Sequence, residues 1–397
     1  MAITSRRPAP RQPAPLDRGA LVALCLGQFL SWGVLYYTLP VAADRITGQR
    51  GWAPVVVPGA YTLSLVCAAV AGPLVGRLLD GYGPRPVITA GSMLGAAGLG
   101  LSAAAPSAPV FVAAWLVVGL GQAATLYPAA FAAAARWFPE RGAWALTAIT
   151  LAGGISSTAF APVTARLVDG YGWRPAFAML AIGYGCAAAP VAATLLAPRW
   201  DPPCRRGTAR AEFLRAVTRS RPFVTAQLAL AIGAAGLYAV TLNMMPLLTE
   251  VGFGYRDAAT VFGLVGAGQI LGRLAFAPLG RRGTPRRRIV VQAVLTVSTL
   301  AAVALAPAAG GLLVVSAVLA GAVRGAHTLA VATAVADRWG RESYGSVFGR
   351  FHLPIAGAMA VSPLLGQLVA AGLGSYRMAA GAFAVAALLA VELARHS

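Results

Sequence analysis

Two arginines stand inside apolar runs where arginine is costly. Arg273 lies in GQILGRLAFAPLG and Arg324 in VLAGAVRGAHTLA. A guanidinium at the centre of a membrane helix costs about 2.5–3.5 kcal/mol on insertion scales, so it needs a partner or a wet cavity. None of the 12 acidic residues falls at the middle of an apolar run. Neither arginine therefore has a carboxylate partner at mid-depth, and the pair predicts an anionic ligand, a carboxylate held bidentately. His327, three residues after Arg324, shares its helix face and is placed to tune or protonate the bound group. Competing structural roles are snorkelling to the surface for Arg273, a clamp on helix carbonyls for Arg324, and packing for His327. Gln269, Tyr36, Gln122 and Asn243 are further candidates for the wall of the cavity, since each is a polar group in an otherwise apolar stretch.

The elements that must position these groups are membrane helices. The chain of 397 residues is 58% hydrophobic and 11% charged, with a mean hydropathy of +0.70. Soluble domains carry about 25% charged residues, and the shortage here runs along the whole chain. Twelve apolar segments of spanning length are expected, at 19–43, 54–78, 86–106, 109–134, 143–167, 175–197, 222–248, 258–280, 288–306, 310–335, 345–371 and 376–394. Residues 1–18 read as a disordered cytoplasmic tail. The apolar run after them is too long for a secretory leader, so no cleavage is expected. Residues 198–221 form a basic linker between an N-terminal half, 19–197, and a C-terminal half, 222–397.

The net charge is +20, and all 32 basic residues are arginine. They cluster in short segments between apolar runs, which marks topology determinants rather than a nucleic-acid surface. With both termini in the cytoplasm, 24 arginines fall on that side, six on the other, and two within the membrane. The linker then lies against anionic headgroups, making lipid the expected partner. The four cysteines, Cys25, Cys67, Cys186 and Cys204, show neither disulfide nor metal-ligand spacing. No nucleophile–base set or phosphate loop is present, so neither an enzyme nor a cofactor is expected.

The two halves repeat each other. Pro162 and Pro363, Leu78 and Leu279, and Arg85 and Arg286 share one offset, and GYGWR ending at Arg174 parallels GLGSYR ending at Arg377. The stretch GPLVGRLLDGYGPR, 72–85, contains Gly76, Leu78, Asp80, Gly83 and Arg85 in a G-x-L-x-D-x-x-G-x-R pattern. Gly76 is expected to permit close helix approach and Gly83 a positive φ. Asp80 is expected to accept at a neighbouring helix N-terminus, with Arg85 on the cytoplasmic side. This pattern resembles the loop between the second and third helices of the major facilitator superfamily of secondary transporters. The resemblance implies an all-α membrane fold of two pseudo-symmetric six-helix halves, a site near the midplane between them, and alternating access at the plasma membrane as a monomer.

Residues 136–162, RWFPERGAWALTAITLAGGISSTAFAP, and the GQILGR ending at Arg273 are similar to the monocarboxylate and oxalate/formate porters. In that branch the arginine of the eighth helix binds the substrate carboxylate. The acidic residue four positions earlier is here Gln269, and Val41 stands where that branch has a lysine. The expectation is a carrier of a small organic anion, a monocarboxylate, with a coupled proton as an open second ligand. The alternative is an exporter of a larger amphipathic drug or metabolite, in which the arginines are structural.

Overall fold

The structure is a computed structural model. It describes residues 18–138, 142–196, 209–280, 283–307, 310–339 and 344–397. The tail 1–17 and linker residues 197–208 lie outside the described residues, as does the side chain of Asp80.

Among the described residues, twelve helices are long and apolar enough to cross a membrane. They are numbered here in chain order: Arg18–Arg50, Val56–Leu79, Pro84–Ala104, Ala108–Ala134, Trp144–Tyr171, Trp173–Leu195, Arg221–Leu242, Tyr255–Phe276, Pro285–Leu305, Gly311–Trp339, Val347–Leu373 and Tyr376–Arg395. A short helix, Ala209–Thr218, precedes span 7. Leucines and valines such as Val70, Leu74, Leu305, Val385 and Leu389 are exposed on the outer surface. They are the face a helical bundle turns to lipid, where every backbone polar group must be satisfied within the helix itself.

The repeat seen in the sequence is physical. Spans 2 and 3 are joined through Gly83 at φ 84°, spans 5 and 6 through Gly172 at φ 83°, and spans 11 and 12 through Gly374 at φ 75°. Glycine reaches that region without a Cβ penalty, which lets one helix end and the next begin within a residue or two. Arg174 donates to the Ala105 carbonyl at 2.6 Å. Its counterpart Arg377 donates to Ala304 at 3.0 Å and to Ala306. Both arginines thus cap the C-terminal end of the third helix of their own half, where carbonyls lack intrahelical partners.

Helix contacts repeat in the same way. A Cβ on Gly119 would fall 2.3 Å from the Ser64 carbonyl, and one on Gly321 2.1 Å from that of Val265. In the second half the contact extends along the whole crossing. Gly268 and Gly272 of span 8 press on Val318 and Ala322 of span 10, while Gly325 presses on Gln269. Small residues at spacing four let two backbones touch, which is the main way helices associate in lipid. Gly76 behaves differently. A Cβ there would meet nothing within 4 Å, so the close approach expected of it does not occur in this conformation.

The halves meet along spans 5 and 8 and along spans 2 and 11. Thr158 donates to the Gly263 carbonyl at 2.9 Å, and the Leu364 amide donates to Thr62 at 3.1 Å. On the side away from the termini, Asp169 of span 5 holds Arg45 at 3.1 Å and, across the interface, Arg256 at 2.6 Å. Tyr255 closes the same corner by donating to the Val41 carbonyl at 3.0 Å.

Candidate functional site

The site begins with a break in span 1. Pro40 has no N–H to offer the Tyr36 carbonyl one turn earlier. The helix Arg18–Ser31 gives way to a π turn over Trp32–Tyr36, and α-helix resumes at Thr38. A π turn widens the helix and is frequent at functional sites. Here Trp32, Tyr36 and Tyr37 lie buried between the halves. Span 7, the first helix of the second half, is also broken. Its helix stops at Leu242, Asn243 intervenes, and Met244–Glu250 carries Pro246.

Arg324 is 1% exposed. Its Nη1 donates to the Thr241 hydroxyl at 3.0 Å, and its guanidinium carbon sits 3.9 Å from the Tyr238 ring centroid. Tyr36 and Tyr37 of the opposite half are within electrostatic reach of it. Its Nε has no hydrogen-bond partner among the described residues. The competing role of a clamp on helix carbonyls is not seen among the described hydrogen bonds in this conformation. The guanidinium rests on a ring face and a hydroxyl, and neither neutralises its charge.

Arg273 is likewise buried. It does not snorkel. Its Nη1 crosses to span 5 and donates to the Thr150 carbonyl, the acceptor also used by Tyr127 at 3.2 Å. Gly154 makes the crossing possible, since a Cβ there would lie 2.3 Å from Arg273 Nη1. No carboxylate lies within ion-pair distance of either arginine among the described residues. Gln269, one turn before Arg273, donates to the Tyr37 hydroxyl at 3.4 Å. Tyr37 thus lies between the surroundings of the two arginines.

Other candidates are occupied elsewhere. Gln122 donates to the Leu35 carbonyl at 2.8 Å and so tethers the π turn, although its Oε1 is free of partners among the described residues. Asn243 donates to Ala239 at 2.8 Å and to Pro363 at 3.2 Å, fastening the break in span 7. It also borders a cavity of about 180 Å³ on the side away from the termini, with Asp44, Tyr61, Gln367 and Tyr376 on its walls. His327 turns toward spans 7 and 9: a Cβ on Gly233 would sit 3.7 Å from the His327 ring and 3.9 Å from the Thr296 hydroxyl. Neither ring nitrogen has a partner among the described residues. The loop residues Gly76, Gly83 and Arg85 lie at the termini side, away from this cluster.

Four contributors were not singled out from the sequence. Trp32, Phe262, Thr150 and Thr241 are an aromatic pair and two threonines in apolar helices, with no local feature to separate them from packing residues. The Pro40 and Pro246 breaks were the available signal, because each interrupts the first helix of its half.

A bundle of twelve spans in two related halves, with broken helices and unneutralised charge between them, is the build of a secondary transporter of small solutes. The chain belongs to the Major Facilitator Superfamily, whose family description matches residues 24–349. It is 26% identical to monocarboxylate transporter 13 of Bos taurus over 294 residues, which cover 73% of this chain and 66% of that protein. It is 27% identical to monocarboxylate transporter 11 of Homo sapiens over 322 residues, covering 78% and 66%. The chain thus spans about two thirds of the length of these relatives. In fold it resembles a crystal structure of a mutant of the nucleoside transporter NupG, with a TM-score of 0.75, 15% identity, and 96% and 99% of the two chains covered.

Proposed function

We propose that this chain carries a small organic anion, a monocarboxylate, across the plasma membrane by alternating access. One observation carries the reading: Arg324 is buried between the halves with no countercharge among the described residues and with its Nε unused. A buried, unpaired cation is unfavourable, and a ligand carboxylate that pairs with it offsets the desolvation already incurred. The planar guanidinium suits a carboxylate better than a point charge would. Arg273 serves as a second cation toward the termini side, released to the ligand when its bond to Thr150 opens. The named relatives support the class of substrate.

In this reading the arginine-rich side faces the cytoplasm and carries both termini, and the working unit is one chain, since both halves of the site belong to it. The Asp169 cluster then closes the external side. The test is counterflow of labelled monocarboxylates in proteoliposomes, for wild type, Arg324→Gln and Arg273→Gln. Saturable exchange that is lost in Arg324→Gln, with the variant still monodisperse and folded, is the expected result. Exchange that ignores both arginines, or no exchange with any carboxylate, would sink the proposal. A pH-sensitive dye inside the vesicles decides in the same experiment whether a proton accompanies the anion.

A further inference from the structure

A network of aromatic rings drawn from both halves reaches the buried guanidinium of Arg324. Trp32 and Tyr36 have ring centroids 4.5 Å apart, Tyr36 and Tyr37 5.1 Å, and Tyr36 and Tyr61 5.5 Å. Trp32 continues to Tyr127 at 4.6 Å, and Tyr37 crosses to Phe262 of span 8 at 5.9 Å. Tyr238 of span 7 lies beneath the guanidinium itself. These rings belong to spans 1, 2, 4, 7 and 8. They are not the static interior of one half.

Their place matters because the interface must part. When two halves rock about a central site, contacts such as Tyr37 to Phe262 and Gln269 to Tyr37 break in each cycle. Rings that are buried against one another in this conformation then turn their faces to the ligand. Aromatic faces take up a planar apolar body by offset stacking and edge contact, each contact adding to the area buried. The ligand must also meet its charge requirement. Among the described residues no carboxylate is buried beside Arg324, and the one on the cavity wall, Asp44, lies on the side away from the termini, so an ammonium group carried next to the Arg324-bound carboxylate finds no partner there. A zwitterion would leave that group desolvated and unpaired.

Resting on the proposed anion carrier, we infer that the substrate is an aryl monocarboxylate without an amino group. Its carboxylate lies on Arg324 and its ring lies among Trp32, Tyr36, Tyr37 and Tyr61. Lactate-sized anions satisfy the arginine but leave the rings without a partner.

The test is competition in the counterflow assay, using phenylacetate, benzoate, pyruvate and phenylalanine as probes. The inference expects phenylacetate or benzoate to half-inhibit at a concentration about tenfold below that of pyruvate. Phenylalanine should be inert. In Tyr36→Leu the aryl-to-pyruvate ratio should fall severalfold, while Tyr36→Phe, which retains the ring, should preserve it. Because two substrates are compared within one preparation, a reduced folded fraction cancels. Pyruvate competing as well as phenylacetate, phenylalanine competing at all, or a ratio unmoved by Tyr36→Leu would each overturn the aryl inference and leave the anion carrier standing. Absence of counterflow with every carboxylate would overturn both.

Discussion

The guanidinium carbon of Arg324 lies over the Tyr238 ring, 3.9 Å from its centroid, while one of its nitrogens is 3.0 Å from the Thr241 hydroxyl. Both partners belong to span 7, Thr241 two residues and Tyr238 five residues before its break at Asn243. The arginine is thereby fixed in orientation without being neutralised. A hydroxyl and a ring face position the cation and leave its charge for another group.

This arrangement predicts that Arg324→Lys will not replace arginine. An ammonium keeps the charge but has no plane to lie on Tyr238 and no fork for a carboxylate. Loss of one charge-assisted contact is expected to raise the half-saturating concentration about 10- to 100-fold. Counterflow titration of Arg324→Lys beside wild type measures it. A lysine variant with unchanged affinity would show that only the sign of the charge matters.

Asp169 bridges Arg45 of its own half and Arg256 of the other at 3.1 and 2.6 Å. The arginines are substantially exposed, so each pair contributes only about 0.2–1 kcal/mol and is screened by salt. Asp169→Asn should therefore open this side modestly. A cysteine placed at Thr47, on the cavity wall, should react with an impermeant maleimide up to about fivefold faster in that background. The effect should shrink in high salt. Equal rates at low salt would mean that Tyr255 and the apolar contacts hold the corner alone.

Much of this was legible beforehand, and the reasons differ by feature. Span number follows from runs of apolar residues near twenty long, a signal that no tertiary contact needs to modify. The likeness of Arg174 to Arg377 was visible as a shared turn sequence, and in space both arginines cap the third helix of their half. Gln122 and Asn243 show the limit. Each is a polar side chain in an apolar helix, and the sequence does not tell whether it faces a ligand or a stray carbonyl. In the structure both serve carbonyls beside broken helices. Trp32 was illegible because its position depends on a π turn. That turn shifts the helical phase and thus the face on which every later residue falls.

Spans 8 and 10 are packed so closely that stability there should be unforgiving. A Cβ on Gly272 would lie 1.8 Å from the Ala322 carbonyl oxygen, a backbone atom that cannot turn aside. Gly272→Ala is expected to cost about 1–3 kcal/mol or to prevent folding. Gly100→Ala, whose new methyl would meet only Ala181 at 3.9 Å, should stay within about 0.5 kcal/mol of wild type. Thermal unfolding in detergent separates the two, and similar midpoints would mean that span 10 shifts without penalty.

Gly154 offers a way to disturb Arg273 without changing it. The Cβ of alanine at 154 would stand 2.3 Å from Arg273 Nη1, so the guanidinium must leave the Thr150 carbonyl. The atom in the way is the far end of a long side chain, which can move, so the fold should survive. Gly154→Ala is therefore expected to reproduce the transport defect of Arg273→Gln while unfolding within a few degrees of wild type. Because both changes act on one interaction, the double variant should be no worse than Arg273→Gln alone, as coupled neighbours are not additive. Additive losses in rate would show that Gly154 matters through spans 5 and 8 sliding past each other rather than through the arginine.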